Sequence, residues 1–312
     1  MRAVVNLGAT ILLAMPLSAF AEFESTPPLV ADLSVAEAHE QPQPPDLTLL
    51  NFFTEGWAEP WTHRHRYTPD MALLRVTTNF MEREFRADYT NSLVYGNPKQ
   101  KNQQVVDALI AYGVDRRLML EVVGAYQWNV PTSGPIPNGA FNSLVTRFQL
   151  VDTEGQSYAF QFRVNTPNKG LGGTQTQLQY VIAGWQDVHQ LIPALGRMGL
   201  YFSVQLENLQ GPHAAGAYQN DLSYDLSLSE TWTPASFPAL GNFTTFLEAY
   251  ATTYFAPSGK TIAPAGRTVF SLTPGVRFWF VPDNSFTFGV DLPVNHAPTY
   301  SALYRVNYIY NF

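Results

Sequence analysis

The C-terminal stretch of the chain, residues 300–312, alternates strictly between two kinds of side chain. Successive side chains of a β-strand point to opposite faces of a sheet, so the pattern predicts one strand with two unlike faces. The residues between the members of the apolar set are mostly polar, and a face so rich in aromatic rings suits lipid better than water. The apolar set is Tyr300, Ala302, Tyr304, Val306, Tyr308, Tyr310 and Phe312.

The same alternation recurs in eleven earlier segments. In each, one face holds mainly Leu, Val, Phe and Tyr, and the other holds mainly Ser, Thr, Gln and Asn. Soluble sheets usually place Lys on their solvent face and edges, but Lys is nearly absent here, as in the wall of a narrow wet lumen. The pattern predicts an all-β fold, an antiparallel up-and-down transmembrane barrel. Its strands are predicted at 84–95, 103–113, 117–128, 142–151, 157–165, 175–185, 198–208, 219–230, 242–254, 268–280, 285–292 and 300–312.

Composition agrees with a lipid-facing barrel and excludes several other classes. Charged residues make up 14% of the chain and aromatic residues also 14%, whereas soluble domains carry about 25% charged residues. The net charge of −7 argues against binding to nucleic acid, which favours a basic face. The absence of cysteine excludes disulfides and thiolate metal sites. No cofactor or metal site is predicted.

The first 80 residues divide into three predicted parts before the barrel of residues 81–312. Residues 1–21 read as a secretory signal peptide that ends at Ala19-Phe20-Ala21. Residues 22–45 form a Pro-rich disordered lead. Residues 46–80 form an N-terminal segment with a short helix between Asp46 and Gly56. This segment acts as a plug or periplasmic cap of the lumen, or it packs at the membrane interface beneath the barrel.

The closing strand, which ends the chain on the aromatic Phe312, resembles the last strand of Gram-negative outer-membrane β-barrels of the porin and small-transporter kind. The resemblance implies the cell outer membrane as location, its lipids as surroundings, and recognition of residues 300–312 by the barrel-assembly machinery. Such barrels have an even number of strands and periplasmic termini, which gives twelve strands. Residues 71–80 also look like a strand. They either extend the first strand inward, form a plug strand, or pair with residues 47–53 to give fourteen strands.

Aromatic residues at the predicted strand ends form two belts at the membrane interfaces. The periplasmic belt is predicted to hold Trp185, Trp232, Trp279 and Phe312. The outer belt is predicted to hold Tyr95, Trp128, Tyr218, Tyr254 and Tyr300.

Charged residues on the predicted inner faces are the candidate pore-lining residues, and two walls of opposite charge would tune ion and solute selectivity. In the alternative interpretation, these charges pair with one another and fill the barrel. The acidic wall is predicted from Glu207, Asp221, Asp225 and Glu248, and the basic wall from Arg277, Arg305 and Arg86, with Arg147 and Arg163 also inside. Closure is expected to bring Arg305 beside Arg86.

Passive passage of small solutes is the function that this reading favours. The alternatives are a structural or recognition barrel with a filled lumen and an outer-membrane lipid hydrolase. A catalytic His needs a Ser or carboxylate within hydrogen-bond reach, and the predicted strands offer no such pair, so the chain is not expected to be an enzyme. The six histidines, all predicted to lie outside strand centres, are His39, His63, His65, His189, His213 and His296.

Overall fold

Twelve β-strands form one closed antiparallel barrel in the computed structural model, and each strand pairs with its neighbours in sequence while the first pairs with the last. The structure describes residues 45–59, 74–94, 100–132, 134, 138–166, 176–192, 198–210, 218–234, 236–257, 268–295 and 300–312. The strands are β1 (Arg83–Val94), β2 (Gln100–Gly113), β3 (Leu118–Pro131), β4 (Gly139–Asp152), β5 (Gln156–Asn165), β6 (Thr176–Asp187), β7 (Met198–Gln210), β8 (Tyr218–Thr231), β9 (Gly241–Pro257), β10 (Thr268–Val281), β11 (Asn284–Pro293) and β12 (Tyr300–Asn311), and one helical turn, α1 (Val188–Leu191), follows β6.

The barrel wall is apolar outside and polar inside, as the alternation predicts. On β3, Val122 is 59% exposed while its neighbour Glu121 is 5% exposed. The same inversion recurs on β8, where Leu226 is exposed and Ser227 is fully buried. Burying polar side chains and exposing aliphatic ones is unfavourable in water but favourable in lipid. The chain is therefore a transmembrane barrel. Separately, the described residues contain no helix long and apolar enough to cross a membrane.

The last strand closes the barrel against β1. Phe85 pairs with Tyr310 and Tyr89 with Val306, and the backbone N–H of Phe312 donates to the carbonyl oxygen of Arg83 at 3.0 Å. The predicted twelve strands are confirmed. The fourteen-strand alternative is wrong, because residues 74–82 form no strand and Leu47 makes only an isolated bridge with Asp152.

Short turns join the strands at the end of the barrel where β1 begins and β12 ends. Residues 114–117, 153–155 and 282–283 connect three hairpins there, and Asp283 takes a positive φ of 62° in its two-residue turn. Short turns mark the periplasmic end of such barrels. The connectors at the other end lie largely outside the described residues.

A rim segment, residues 45–59, lies at the periplasmic end and forms consecutive turns. The predicted helix is wrong, because the segment forms turns and bends in place of a helix. The Asn51 side chain accepts the Thr48 N–H at 2.7 Å, and the Thr48 hydroxyl accepts the Asn51 N–H at 3.4 Å. Such local side-chain bonds compete with helix formation. Gly56 follows with φ +86°. The predicted signal peptide and the predicted lead to residue 44 lie outside the described residues, as do residues 60–73.

Three of the predicted belt residues face the interior. Trp185 is 1% exposed and contacts Phe80 inside the barrel with ring centroids 5.9 Å apart. Tyr254 pairs in register with the buried Asp221, and the Tyr300 hydroxyl accepts a hydrogen bond from inside the lumen. Other predicted belt residues are exposed (Trp232 and Phe312) or half-buried (Trp128 and Trp279), while Tyr95 and the side chain of Tyr218 lie outside the described residues.

Candidate functional site: the barrel lumen

A lumenal segment, residues 74–82, runs through the interior of the barrel before β1 begins. Its apolar residues Leu74, Val76 and Phe80 are buried in one cluster with Trp185 and other inward-facing aromatic residues of the wall. Phe80 lies at its periplasmic end, because its partners are close to the ends of β6 and β7 on that side. The remaining partners in the cluster are Tyr201 and Phe246.

A single carboxylate holds the other end of the lumenal segment. Glu248, fully buried near the middle of β9, accepts the backbone N–H of Leu74 at 3.1 Å, of Arg75 at 3.2 and 3.0 Å, and of Val76 at 3.4 Å. Hydrogen bonds to an ionised acceptor are stronger than those between neutral groups. The contact fixes the main chain and leaves the Arg75 side chain free to bond elsewhere.

The Arg75 side chain bonds a second buried carboxylate. Its guanidinium lies 2.5 Å from Asp291, which also accepts from Arg305 at 3.0 Å. The Arg75 guanidinium donates to the Tyr300 hydroxyl at 3.2 Å and lies 4.3 Å from the centre of the Tyr250 ring. One acid thus neutralises two arginines only in part, and the aromatic face adds cation–π stabilisation.

Further polar contacts tie the lumenal segment to both sides of the barrel. The Thr77 N–H donates to the Ser203 hydroxyl at 3.3 Å, and that hydroxyl donates to Asp225 at 2.6 Å. On the opposite side, Arg147 donates to the carbonyl oxygen of Phe80 at 2.5 Å. Polar contacts therefore hold the segment to β4 on one side of the barrel and to the wall from β7 to β12 on the other.

A charged cavity of about 250 Å³ remains between the lumenal segment and the wall from β1 to β5. Within it, Arg163 lies 3.1 Å and Arg147 3.9 Å from Glu121, and Arg86 lies 2.8 Å from Asp88. The formal charges balance, because four carboxylates and four guanidinium groups line the cavity. These are Glu84, Asp88, Asp107 and Glu121, and Arg75, Arg86, Arg147 and Arg163.

All nine predicted pore-lining residues lie on the inner side of the wall. Six are buried, namely Glu207, Asp221, Asp225, Glu248, Arg277 and Arg147, while Arg305, Arg86 and Arg163 keep 16, 16 and 31% of their side chains exposed. Arg86, Arg147 and Arg163 share the charged cavity.

The expected proximity of Arg305 and Arg86 is wrong. Arg305 pairs in register with Thr90 and Arg86 with Ile309, so the two arginines are four positions apart along the wall. Arg86 bonds Asp88, and Arg305 bonds Asp291, which it shares with Arg75. The described strands β7, β8 and β9 carry the four predicted acids and no arginine, whereas the wall of the predicted arginines, from β10 through β12 to β1, also carries acids beside them.

The sequence reading missed two kinds of residue at this site. Arg75 lies in a segment that resembled a strand, and nothing in its pattern predicted an ion pair with Asp291. The inward aromatic residues Trp185, Tyr201 and Phe246 carried a usable signal, because each occupies a position of inner-face parity in its strand. Large rings on an otherwise polar face indicate a partner inside the lumen.

The rim segment is fixed to the periplasmic turn between β2 and β3 by two arginines. Arg117 donates to carbonyl oxygens of Glu55 at 2.9 Å and Thr48 at 3.2 Å and to the Asn51 side chain at 2.8 Å. Arg116 donates to Glu59 at 2.6 Å. Burial lowers the pKa of Arg117, and the hydrogen bond from Arg116 lowers the pKa of Glu59.

These features define a transmembrane β-barrel of the outer-membrane type. No protein-family model matches the chain, and no curated protein matches it in sequence. Among solved structures, the fold is similar to that of an outer-membrane channel from Pseudomonas putida F1, with 10% identity and a TM-score of 0.55 over 78% of this chain and all of that one.

Two porins are also similar. The NanC porin has 8% identity and a TM-score of 0.49 over 74% of this chain and all of that one. The KdgM porin has 11% identity and a TM-score of 0.45 over 73% of this chain and 99% of that one. The twelve-stranded fold and the apolar outer wall together place the chain in the cell outer membrane.

Proposed function

We propose that this barrel is a channel for passive passage of small solutes and that the lumenal segment sets its conductance. The charged cavity beside that segment is the observation that supports the proposal. Because a single extended stretch of the described chain separates this polar space from the rest of the lumen, a small movement of the lumenal segment would open a continuous path through the barrel. The main chain of Leu74–Thr77 is held to the wall by polar contacts, and water can replace these if the segment moves, whereas the side chains of Leu74 and Val76 would leave the apolar cluster.

The balanced charge of the cavity bears on the solutes. With four acids and four arginines around one space, neither sign of ion is favoured by net charge, and selectivity depends on which charge lies nearest the path. We infer that small polar solutes of either sign can enter, with modest ion selectivity.

A structural barrel with a filled lumen is the second candidate. The cluster of Phe80 with Trp185 and Tyr201 favours it, because burial of aromatic rings stabilises the segment in place. The proposal gives the barrel no enzymatic role. Outer-membrane lipids and, through residues 300–312, the assembly machinery are its proposed partners.

A reversible disulfide between the lumenal segment and the barrel wall tests the channel proposal. The chain has no cysteine, so the double variant Thr77→Cys with Ser203→Cys, at positions in contact through the Thr77 N–H, carries the only thiols. We expect purified wild-type protein to conduct in planar bilayers, the oxidised double variant to conduct much less, and reduction to restore conductance. Each single variant is the control. Absence of conductance in wild type and in the reduced double variant would favour the filled barrel.

A further inference from the structure

Two carboxylates face each other in the half of the inner wall away from the periplasmic end. Glu207 and Asp221 are direct register partners across β7 and β8, and both are buried, at 6 and 4% exposure. Side chains that are directly opposite in an antiparallel pair have Cβ atoms about 5 Å apart. Within the described parts of the chain, neither carboxylate forms an ion pair.

Among the described residues only neutral donors reach this pair, so no positive charge compensates its negative charge. Glu207 accepts a hydrogen bond through Oε2 from the Gln179 side chain at 3.0 Å, and the Gln177 side chain is a second neutral donor beside it. Its other oxygen, Oε1, is buried and accepts none from the residues that the structure describes. Like charges at this separation repel strongly away from water, and a buried charge normally has a partner. The unpartnered oxygen of Glu207 therefore points to a bound group.

The neighbours in register supply further oxygen atoms at the same level of the wall. Gln179 on β6 pairs with Glu207, and Tyr254 on β9 pairs with Asp221. Four adjacent strands thus present a carboxamide, two carboxylates and a phenol in one row. Gln179 presents its Nε2–H to Glu207, so the carboxylate and phenol oxygens are the cation-binding groups of this row, and such hard oxygens suit Ca²⁺.

We propose that Glu207 and Asp221 bind a hard divalent cation such as Ca²⁺. Two carboxylates carry the charge that a divalent ion neutralises, and the free Oε1 of Glu207 is available as its ligand. The site is separate from the charged cavity, which Glu207 and Asp221 do not line, and its occupancy is independent of whether the barrel conducts. The described residues contain no group of three or more His, Asp or Glu with metal-binding geometry, so water completes the coordination.

Terbium luminescence tests the site, because Tb³⁺ replaces Ca²⁺ at oxygen ligands and Tyr254 lies close enough to sensitise it. We expect the folded wild-type protein in detergent to give Tb³⁺ emission on tyrosine excitation, and Ca²⁺ to compete with it. The double variant Glu207→Gln with Asp221→Asn should bind Tb³⁺ at least tenfold more weakly. Asp225→Asn removes an equal charge four residues further along the same inner face of β8 and is the matched control.

Each result is decisive if folding is checked by the heat-dependent migration of the barrel in gel electrophoresis. Weaker binding in the double variant alone supports the site. Absence of sensitised emission in wild type, equal emission in the double variant, or an equal loss in Asp225→Asn overturns it. The readout is metal binding rather than conductance, so failure of the channel proposal leaves this result interpretable.

Discussion

The carboxylate of Glu248 accepts the backbone N–H of Arg75 with both of its oxygens, at 3.2 and 3.0 Å. The same carboxylate accepts the N–H groups of Leu74 and Val76, so one side chain of β9 fixes three consecutive peptide groups in the lumen. Because the bonds are made to the main chain, substitutions at Glu248 act on the position of the lumenal segment rather than on any one of its side chains.

Replacing Glu248 with Gln is expected to loosen the lumenal segment. Gln keeps the size of the side chain but loses the charge. Hydrogen bonds to charged groups contribute about 1.5–3 kcal/mol against about 1 kcal/mol for neutral ones, and Gln can accept through only one oxygen. We expect more frequent openings or a larger conductance in planar bilayers. Glu154→Gln, in an exposed periplasmic turn, is the control, and conductance equal to wild type in Glu248→Gln would contradict a holding role.

Because Arg75 and Arg305 share the carboxylate of Asp291, we expect Asp291→Asn to destabilise the barrel more than Arg75→Met does. Asp291→Asn leaves Arg75 and Arg305, each with 16% of its side chain exposed, beside each other without their fully buried carboxylate, and breaking a buried ion pair in this way costs about 3–5 kcal/mol. Arg75→Met costs less, because Arg305 still neutralises Asp291. Chemical unfolding in detergent measures both. A larger loss of unfolding free energy in Arg75→Met than in Asp291→Asn would show that Arg305 does not depend on Asp291.

The strands and their faces were predictable because lipid imposes one simple rule on every strand. The alternation of Val122 with Glu121, or of Leu226 with Ser227, shows which residue faces lipid and which faces the lumen. Predicting this face requires only the neighbouring residues of the same strand. The closing pair of β12 with β1 followed from the even strand number. These features depend on periodicity and strand number, and they were confirmed except at Tyr300, which was predicted on the lipid face and accepts a hydrogen bond from Arg75 inside the lumen.

The lumenal contacts were not predictable for a physical reason. Glu248 binds peptide N–H groups 172–174 positions away in the chain, and every residue type supplies such a donor. Arg75 meets Asp291 only because the segment enters the closed barrel, which strand periodicity does not encode. The inward rings of Trp185 and Tyr201 were a visible exception to the polar inner face, and they indicated the filled interior that the belt assignment of Trp185 overlooked.

Opposite shifts of ion selectivity are expected from the two members of the cavity pair. Arg163 lies 3.1 Å from Glu121, and both line the charged cavity. Arg163→Gln makes the cavity net negative and should shift the reversal potential in a salt gradient toward cation preference, whereas Glu121→Gln should shift it toward anions. The double variant restores the balance and should return near wild type. Shifts in the same direction would contradict a path beside this pair.

Acid is expected to release the rim segment through Glu59. Its carboxylate accepts from Arg116 at 2.6 Å and from the Gly56 N–H at 3.0 Å, and the bond from Arg116 lowers its pKa below the ordinary 4.5. The charged form is the one that docks. A group with a lowered pKa in the docked state contributes its full stabilisation above its ordinary pKa and loses it as the pH falls through the lowered one.

A nitroxide on Leu50→Cys reports this release, because Leu50 is fully exposed in the rim segment and the chain has no other cysteine. We expect a mobile spectral component to grow as the pH falls below about 4.5, the ordinary pKa of Glu59. With Glu59→Gln added, the mobile component should already be present at neutral pH and should change little with acid, since Arg116 and Arg117 keep their charges. A pH dependence that survives Glu59→Gln would assign the release to another group.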